Sequence, residues 1–310
     1  MNSLSHDAIL YSSKGVFVML TIENLQVKYK EQTALCITKP IVIRENDRIG
    51  VIGSNGAGKT TLVKSVLGLT RYEGHIKTRL TPEQIAVHMQ QNNYVRTMTV
   101  KNIMETVLDT AIRTNGKLQE LIGFFSFESC LYKRFQMLSG GEKQRFTIIL
   151  VLMQDAPLTF FDEVTSGLDF ETRQKLMDTL VDWYRGKKTA LCMVSHYYDE
   201  LERIADKLLI LEKGFVVDFG GTDELFLKYC GKSIMTIENT EFNRSLTANF
   251  KTIESPRHLL SFSCPDGTAE TELASLFIQN NVNYRRSNRD IESIFTVAVR
   301  RFYEKRRDLQ

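Results

Sequence analysis

The chain has 310 residues, 43% hydrophobic and 25% charged, with a formal net charge of +3. That length can bury the core of one large or two modest domains, the balance is ordinary for a soluble globular protein, and so small a charge argues against a nucleic-acid partner. No apolar run reaches the ~18 residues that cross a bilayer, and five scattered cysteines (Cys36, Cys130, Cys192, Cys230, Cys264) without a C-x-x-C pair imply neither a disulfide frame nor a zinc site.

Residues 1–18 read as a leader or tag-like segment. GVFVML (Gly15 to Leu20) is too short for a signal peptide, and Met19 opens a strand pattern that looks like a domain start. Strands are expected in LTIENLQVKY, ITKPIVI and DRIGVIG, then a helix from Lys59 to about Gly68, then strands near HIKTR and QIAVH. From Val100 to Val151 the pattern turns helical, through VKNIMETVLDTAI, KLQELIGFF and EKQRFTIILVLM, the last a core helix. Strand and helix then alternate: LTFFDE, FETRQKLMDTLVDWYR, TALCMVSH, and a hairpin in LLILEKGFVVDFG turning at Lys213-Gly214.

The predicted fold is therefore α/β: largely parallel strands interrupted by a helical insert. A small α+β unit follows, with strands at NFKTIE, HLLSFSC and VNYRR and helices at TAETELASLFIQ and from Asp290 to about Glu304. Its shape could be ferredoxin-like. The expected boundaries are 19–230 for the first domain, with the helical part at about 91–150, and 231–310 for the second. The basic tail Arg300, Arg301, Lys305, Arg306 and Arg307 reads as a solvated helix end.

The chemistry is concentrated in GSNGAGKTT: Gly53, Ser54, Asn55, Gly56, Ala57, Gly58, Lys59, Thr60 and Thr61. The run fits G-x-x-x-x-G-K-[ST] between a strand and a helix. Glycines let successive N–H groups turn toward phosphate oxygens, and the helix start adds partial positive charge. Lys59 can reach the β- and γ-phosphates and the Thr60 hydroxyl can ligate Mg²⁺. The apolar strand LTFFDE delivers Asp162 to the sheet edge beside this loop, where it can hold the Mg²⁺ shell, and places Glu163 to orient or deprotonate a water. LSGGEKQR puts Ser139, Gly140 and Gly141 at a second helix start, another anion cradle. One nucleotide loop with two cradles points to two chains closing over a shared nucleotide.

On these motifs the chain, over about Leu20 to Tyr229, resembles the ATP-binding cassette family, the ATP-hydrolysing subunits of ABC transporters. LSGGEKQR looks like the family signature; Gln90 matches its glutamine loop; Ser166, Gly167, Leu168 and Asp169 match its dimer-contact loop; His196 matches its switch histidine. Tyr29 stands where the family stacks an aromatic on adenine. Taken singly, Gln90 could be a polar strand end, His196 a core-edge histidine and Tyr29 packing. Val164 stands where proline usually follows Asp-Glu, Gly167 where alanine is common and Met89 where proline often precedes the glutamine.

The resemblance implies ATP with Mg²⁺ on Thr60, Asp162 and Gln90, catalysis by Glu163, His196, Lys59 and Gln90, and a head-to-tail pair in which Ser139, Gly140, Gly141 and Asp169 serve the mate's nucleotide. It also implies a separately encoded membrane permease and a place at the cytoplasmic face of a bacterial membrane. From about Lys232 the chain is similar to the accessory domain of bacterial drug, bacitracin and lantibiotic-peptide exporters, with DIESIFTVAVR (Asp290 to Arg300) as its closing element. Export of a peptide, drug or lipid by a homodimer is the expectation. The alternative is a soluble ATPase of a translation or DNA machine. The first needs a second cassette and the second long heptad coils, and neither is seen.

Overall fold

The computed structural model describes residues 17–89 and 94–307. The strands and helices run β1 (Val18–Tyr29), β2 (Gln32–Ile37), β3 (Ile41–Arg44), β4 (Arg48–Gly53), α1 (Lys59–Val66), β5 (Glu73–Thr78), β6 (Ile85–His88), α2 (Val100–Val107), α3 (Gly116–Phe124), α4 (Gly140–Met153), β7 (Leu158–Asp162), α5 (Phe170–Tyr184), β8 (Ala190–Val194), α6 (Tyr198–Ile204), β9 (Lys207–Glu212), β10 (Phe215–Gly221) and α7 (Thr222–Cys230). After them come β11 (Ser233–Glu238), α8 (Glu241–Leu246), β12 (Thr252–Ile253), β13 (Leu259–Cys264), α9 (Gly267–Gln279), β14 (Arg285–Ser287) and α10 (Ile291–Arg307).

The first sheet has two characters. Strands β6, β7, β8, β4 and β9 pair in parallel in that order. Both faces of this half are covered, so β7 (LTFFD) and β8 (ALCMV) are buried at every position instead of alternating. Antiparallel strands β1, β2, β3 and β5 form the other half, and β10 joins the two, antiparallel to β9 and parallel to β2. The expectation of largely parallel strands therefore holds for one half only. A parallel sheet delivers the carboxyl ends of β4, β7 and β8 to one edge, which is where the loops carrying chemistry emerge.

Several sequence expectations shift. The single strand expected at ITKPIVI is two, because Pro40 lacks the N–H that a continuous ladder needs. The first strand begins at Val18, which is 3% exposed, and Phe17 O accepts from Glu45 N at 2.9 Å, so both belong to the fold and not to the leader. Helix α2 stops at Val107.

The second sheet is ordered β12-β13-β11-β14, all neighbours antiparallel. With helices α8 and α9 this is the β-α-β-β-α-β split connectivity of ferredoxin-like units. Strand β11 and helix α8 were not foreseen, β12 is only two residues, and β14 lies C-terminal to most of VNYRR. One sheet face buries Met235, Ile237, Phe262, Leu273 and Phe277 together.

Helix α10 leaves this unit and returns to the first. Its Ile291, Ile294, Val297 and Ala298 are buried in the main core, with Phe226 and Tyr229 of α7. Each large aliphatic is worth about 1.5–3 kcal/mol when buried, against roughly 0–1 kcal/mol for an exposed ion pair, so the apolar stripe decides the docking. The basic tail is not simply solvated. Arg301 donates to Lys228 O (3.1 Å) and Tyr229 O (3.3 Å), and the Arg306 guanidinium lies 3.9 Å from the Phe215 ring centroid.

Candidate functional site: a phosphate-loop cleft

The loop between β4 and α1 is shaped by its glycines. Gly56 (φ +77°) and Gly58 (φ +100°) hold left-handed backbone, and a Cβ on Gly53 would sit 2.3 Å from Leu211 O. Helix α1 has no side-chain cap and no acidic residue in its first turn. Its first N–H groups are therefore left for an anion.

Lys59 is 6% exposed and its Nζ donates to Gly53 O (2.8 Å) and Ser54 O (3.1 Å). Burial pushes its pKa down, opposed by the charges of Glu163, Asp162 and Glu212. Thr60 Oγ1 donates to Asp162 Oδ2 at 3.0 Å. Asp162 closes β7, is 1% exposed, and its Oδ1 has no hydrogen-bond partner among the described residues. Burial raises its pKa. A hydroxyl and a buried carboxylate with a spare oxygen suit Mg²⁺, a hard cation that keeps several waters and takes the rest of its shell from substrate phosphates.

Glu163 follows with φ +52°. That region costs a non-glycine residue roughly 1–2 kcal/mol and recurs at functional sites. Its N–H donates to Val194 O (3.0 Å), anchoring the turn to β8, and its Oε1 lies 2.7 Å from His196 Nε2. The loop residues 55–61, Glu163, His196 and Tyr29 line one cleft of about 670 Å³, with Gln32, Thr33, Ala34 and Lys213. Tyr29 is 51% exposed, its hydroxyl 3.3 Å from Thr70 Oγ1. Gln90 lies outside the described residues.

Residues that sequence reasoning missed fix the chain on either side of His196. Ser195 Oγ donates to Glu200 Oε2 (2.6 Å) and accepts from Tyr197 N (3.0 Å). Glu200 is 1% exposed, its pKa raised by burial, and the Arg173 guanidinium lies 3.9 Å over the Tyr197 ring. The only signal in the sequence was the acidic start of α6. Lys213, at the β9–β10 turn, was also missed.

Ser139, Gly140, Gly141 and Asp169 are not at this cleft. Ser139 caps α4, accepting from Glu142 N (3.2 Å), while Ser139 N donates to Glu142 Oε2 (2.8 Å). Asp169 caps α5 by accepting from Thr172 N (3.0 Å). The two starts touch: a Cβ on Gly141 would lie 2.6 Å from Thr172 Cγ2, and one on Gly140 3.6 Å from Leu168. The sequence therefore marks two separate surfaces.

The strand-loop-helix cleft with its strand-end carboxylates defines a P-loop nucleotide hydrolase. Residues 41–166 match the family model described as ABC transporter. The thiamine import ATP-binding protein ThiQ of Photorhabdus laumondii is 31% identical over 220 residues, 67% of this chain and 92% of that protein. The methionine import ATP-binding protein MetN of Corynebacterium efficiens is 29% identical over 204 residues, 60% and 57% of the two chains. A solved ATP-binding subunit of an ABC transporter shares the fold at TM-score 0.59 and 22% identity, covering 68% of this chain and 93% of that one. The chain belongs to the ABC transporter family as an ATP-binding subunit, an ATPase that uses ATP with Mg²⁺. Among the described residues no helix is long and apolar enough to cross a membrane.

Proposed function

We propose that two copies of this chain close over two Mg²⁺-ATP molecules and drive a separately encoded membrane subunit that exports a peptide, drug or lipid. The observation that carries the hydrolytic part is the convergence on one cleft of Lys59, the Thr60–Asp162 pair and the Glu163–His196 pair.

In this reading Lys59 leaves its two neutral carbonyls for the β- and γ-phosphates, because hydrogen bonds to charged acceptors are about twice as strong. Thr60 and Asp162 would hold Mg²⁺, with Gln90 completing the set, and the bound metal would neutralise phosphate charge. Tyr29 stacks on the base. Glu163 orients the attacking water and takes its proton, and His196, 2.7 Å away, fixes that carboxylate and reaches the γ-phosphate. Ser139, Gly140 and Gly141 of the second copy cap the γ-phosphate, with the Ser166–Asp169 turn at the seam. ATP then acts as glue, since it binds the closed pair better than the open one.

The helical segment of about 91–150 is read as the face that meets the membrane subunit. Val107, Tyr132 and Met137 are exposed there. The chain is divided as 19–230 for the ATPase and 231–310 for an accessory unit, and export rests on the resemblance of that unit. Import is the second reading, favoured by the printed names of the thiamine and methionine relatives. The two separate in vesicles holding the chain and its permease: ATP supplied on the ATPase side should expel cargo from that side, and ATP-driven uptake toward it overturns export. Glu163→Gln should lower turnover about 100-fold or more while ATP binding persists; unchanged turnover removes Glu163 from its role.

A further inference from the structure

The turn between β9 and β10 is built into the phosphate loop. Lys213 (φ +47°) and Gly214 (φ +80°) make a tight hairpin turn. Gly214 N donates to Ala57 O (3.2 Å) and Gly214 O accepts from Cys36 N (2.6 Å). Leu211 O abuts Gly53 so closely that no Cβ fits. The backbone of this hairpin therefore supports both ends of the loop, and Lys213 lines the cleft together with Thr33 and Ala34.

Helix α10 also holds the hairpin. Tyr303 OH donates to Glu212 Oε1 at 2.6 Å, and Lys213 Nζ sits 5.0 Å from the Tyr303 ring centroid. Glu212 is 6% exposed and its Oε2 has no hydrogen-bond partner among the described residues. A buried carboxylate thus takes a hydrogen bond from the last helix of the chain, in the residue preceding a cleft lysine. The tyrosine ring that makes this bond also lies under the ammonium, a placement that favours a cation.

We propose that Lys213 contacts the phosphate chain of bound nucleotide and that Tyr303, acting through Glu212 and the ring under the ammonium, is its positioning residue. The inference rests on the cleft being the nucleotide site. Lys213 adds a second lysine charge to a cleft where Lys59 serves the terminal phosphates. Seating of α10 thereby becomes a condition for full nucleotide affinity, linking residues 231–310 to the ATPase through a direct contact.

The test uses the full chain, with Mg²⁺-ATP binding followed by fluorescence titration and steady-state turnover. Lys213→Asn keeps a residue that tolerates positive φ and removes the charge. KM for ATP should rise about tenfold, the size of one hydrogen bond to a charged group, with kcat within about twofold. Lys213→Arg should restore KM to within about twofold, and Tyr303→Phe, which keeps the ring, should raise KM about threefold. A wild-type KM in Lys213→Asn, or Lys213→Arg as impaired as the asparagine variant, overturns the contact. An unchanged KM in Tyr303→Phe overturns the positioning role. Failure of the wild-type chain to bind ATP overturns the cleft reading itself, and is distinguishable because it precedes any variant.

Discussion

The starts of α1 and α4 were both marked by glycine-rich sequence as anion cradles, yet they are built in opposite ways. Helix α1 begins at a left-handed glycine with no side-chain cap, no acidic residue in its first turn and Lys59 at its first position. Helix α4 begins with a closed capping box, Ser139 and Glu142 satisfying each other's backbone N–H groups. Glu142 is charged at neutral pH, its pKa held down to about 2: burial works against the charge but is outweighed by hydrogen bonds from Lys133, Ser139 N and Cys130. Lys133 lies 2.7 Å from it. An open helix start attracts phosphate in the lone chain. A start that has satisfied itself, with an acid in its first turn, would do so only with help, which Lys133 beside the carboxylate would supply by cancelling its charge. The difference fits a site that binds nucleotide first on α1 and recruits α4 from a second copy afterwards.

Substitutions can break this contrast. Lys59→Ala should have the largest effect, weakening ATP binding about 100-fold or more, because it removes the charge at the open start; isothermal titration checks it, and retained affinity would mean the loop amides suffice. Lys133→Met should come next. It leaves Glu142 unopposed, so ATP-driven pairing should weaken about fivefold in sedimentation while binding to the lone chain is unchanged. Adding Glu142→Gln should recover most of the loss. Lost binding in the lone chain would place Lys133 at the wrong surface.

The smallest effect lies away from both starts, in the accessory unit. Glu270 accepts from Arg286 and from Ser233 Oγ (2.6 Å), which hold its pKa down to about 2 from 4.5. A depressed carboxyl pKa gives stability present above the unfolded value and lost as pH falls through the folded one. The contribution, small for so accessible a pair, should vanish between pH 4.5 and 2. Glu270→Gln should flatten that part of the melting-temperature profile and leave ATP turnover alone. A changed turnover would tie the sheet of this unit to the ATPase.

Legibility followed how local the cause was. The phosphate loop, the strand ending in Asp162 and the Lys213-Gly214 turn were readable because each is encoded in a few adjacent residues with a required backbone. That Asp162 would lie beside the loop followed from an apolar strand ending in carboxylates; its bond to Thr60 did not. Strand β11 was missed because SIMTIE is short and follows α7 after only Gly231 and Lys232, so no turn cluster announced it. The Arg306 stack on Phe215 and the Tyr303 bond to Glu212 join residues about 90 positions apart. No pattern in the basic tail distinguishes an arginine facing water from one resting on an aromatic ring. The Ser195–Glu200 bond and the Arg173 stack on Tyr197, on either side of His196, were hidden because they too join side chains from separate elements.

The most direct measurement of the central claim is the mass of the Glu163→Gln chain in solution with and without Mg²⁺-ATP. Saturating ATP should convert monomer to dimer, and Ser139→Arg in the same background should prevent it by blocking the second cradle. A chain that binds ATP at full occupancy yet stays monomeric, alone and with its membrane subunit, would contradict the shared-nucleotide pair.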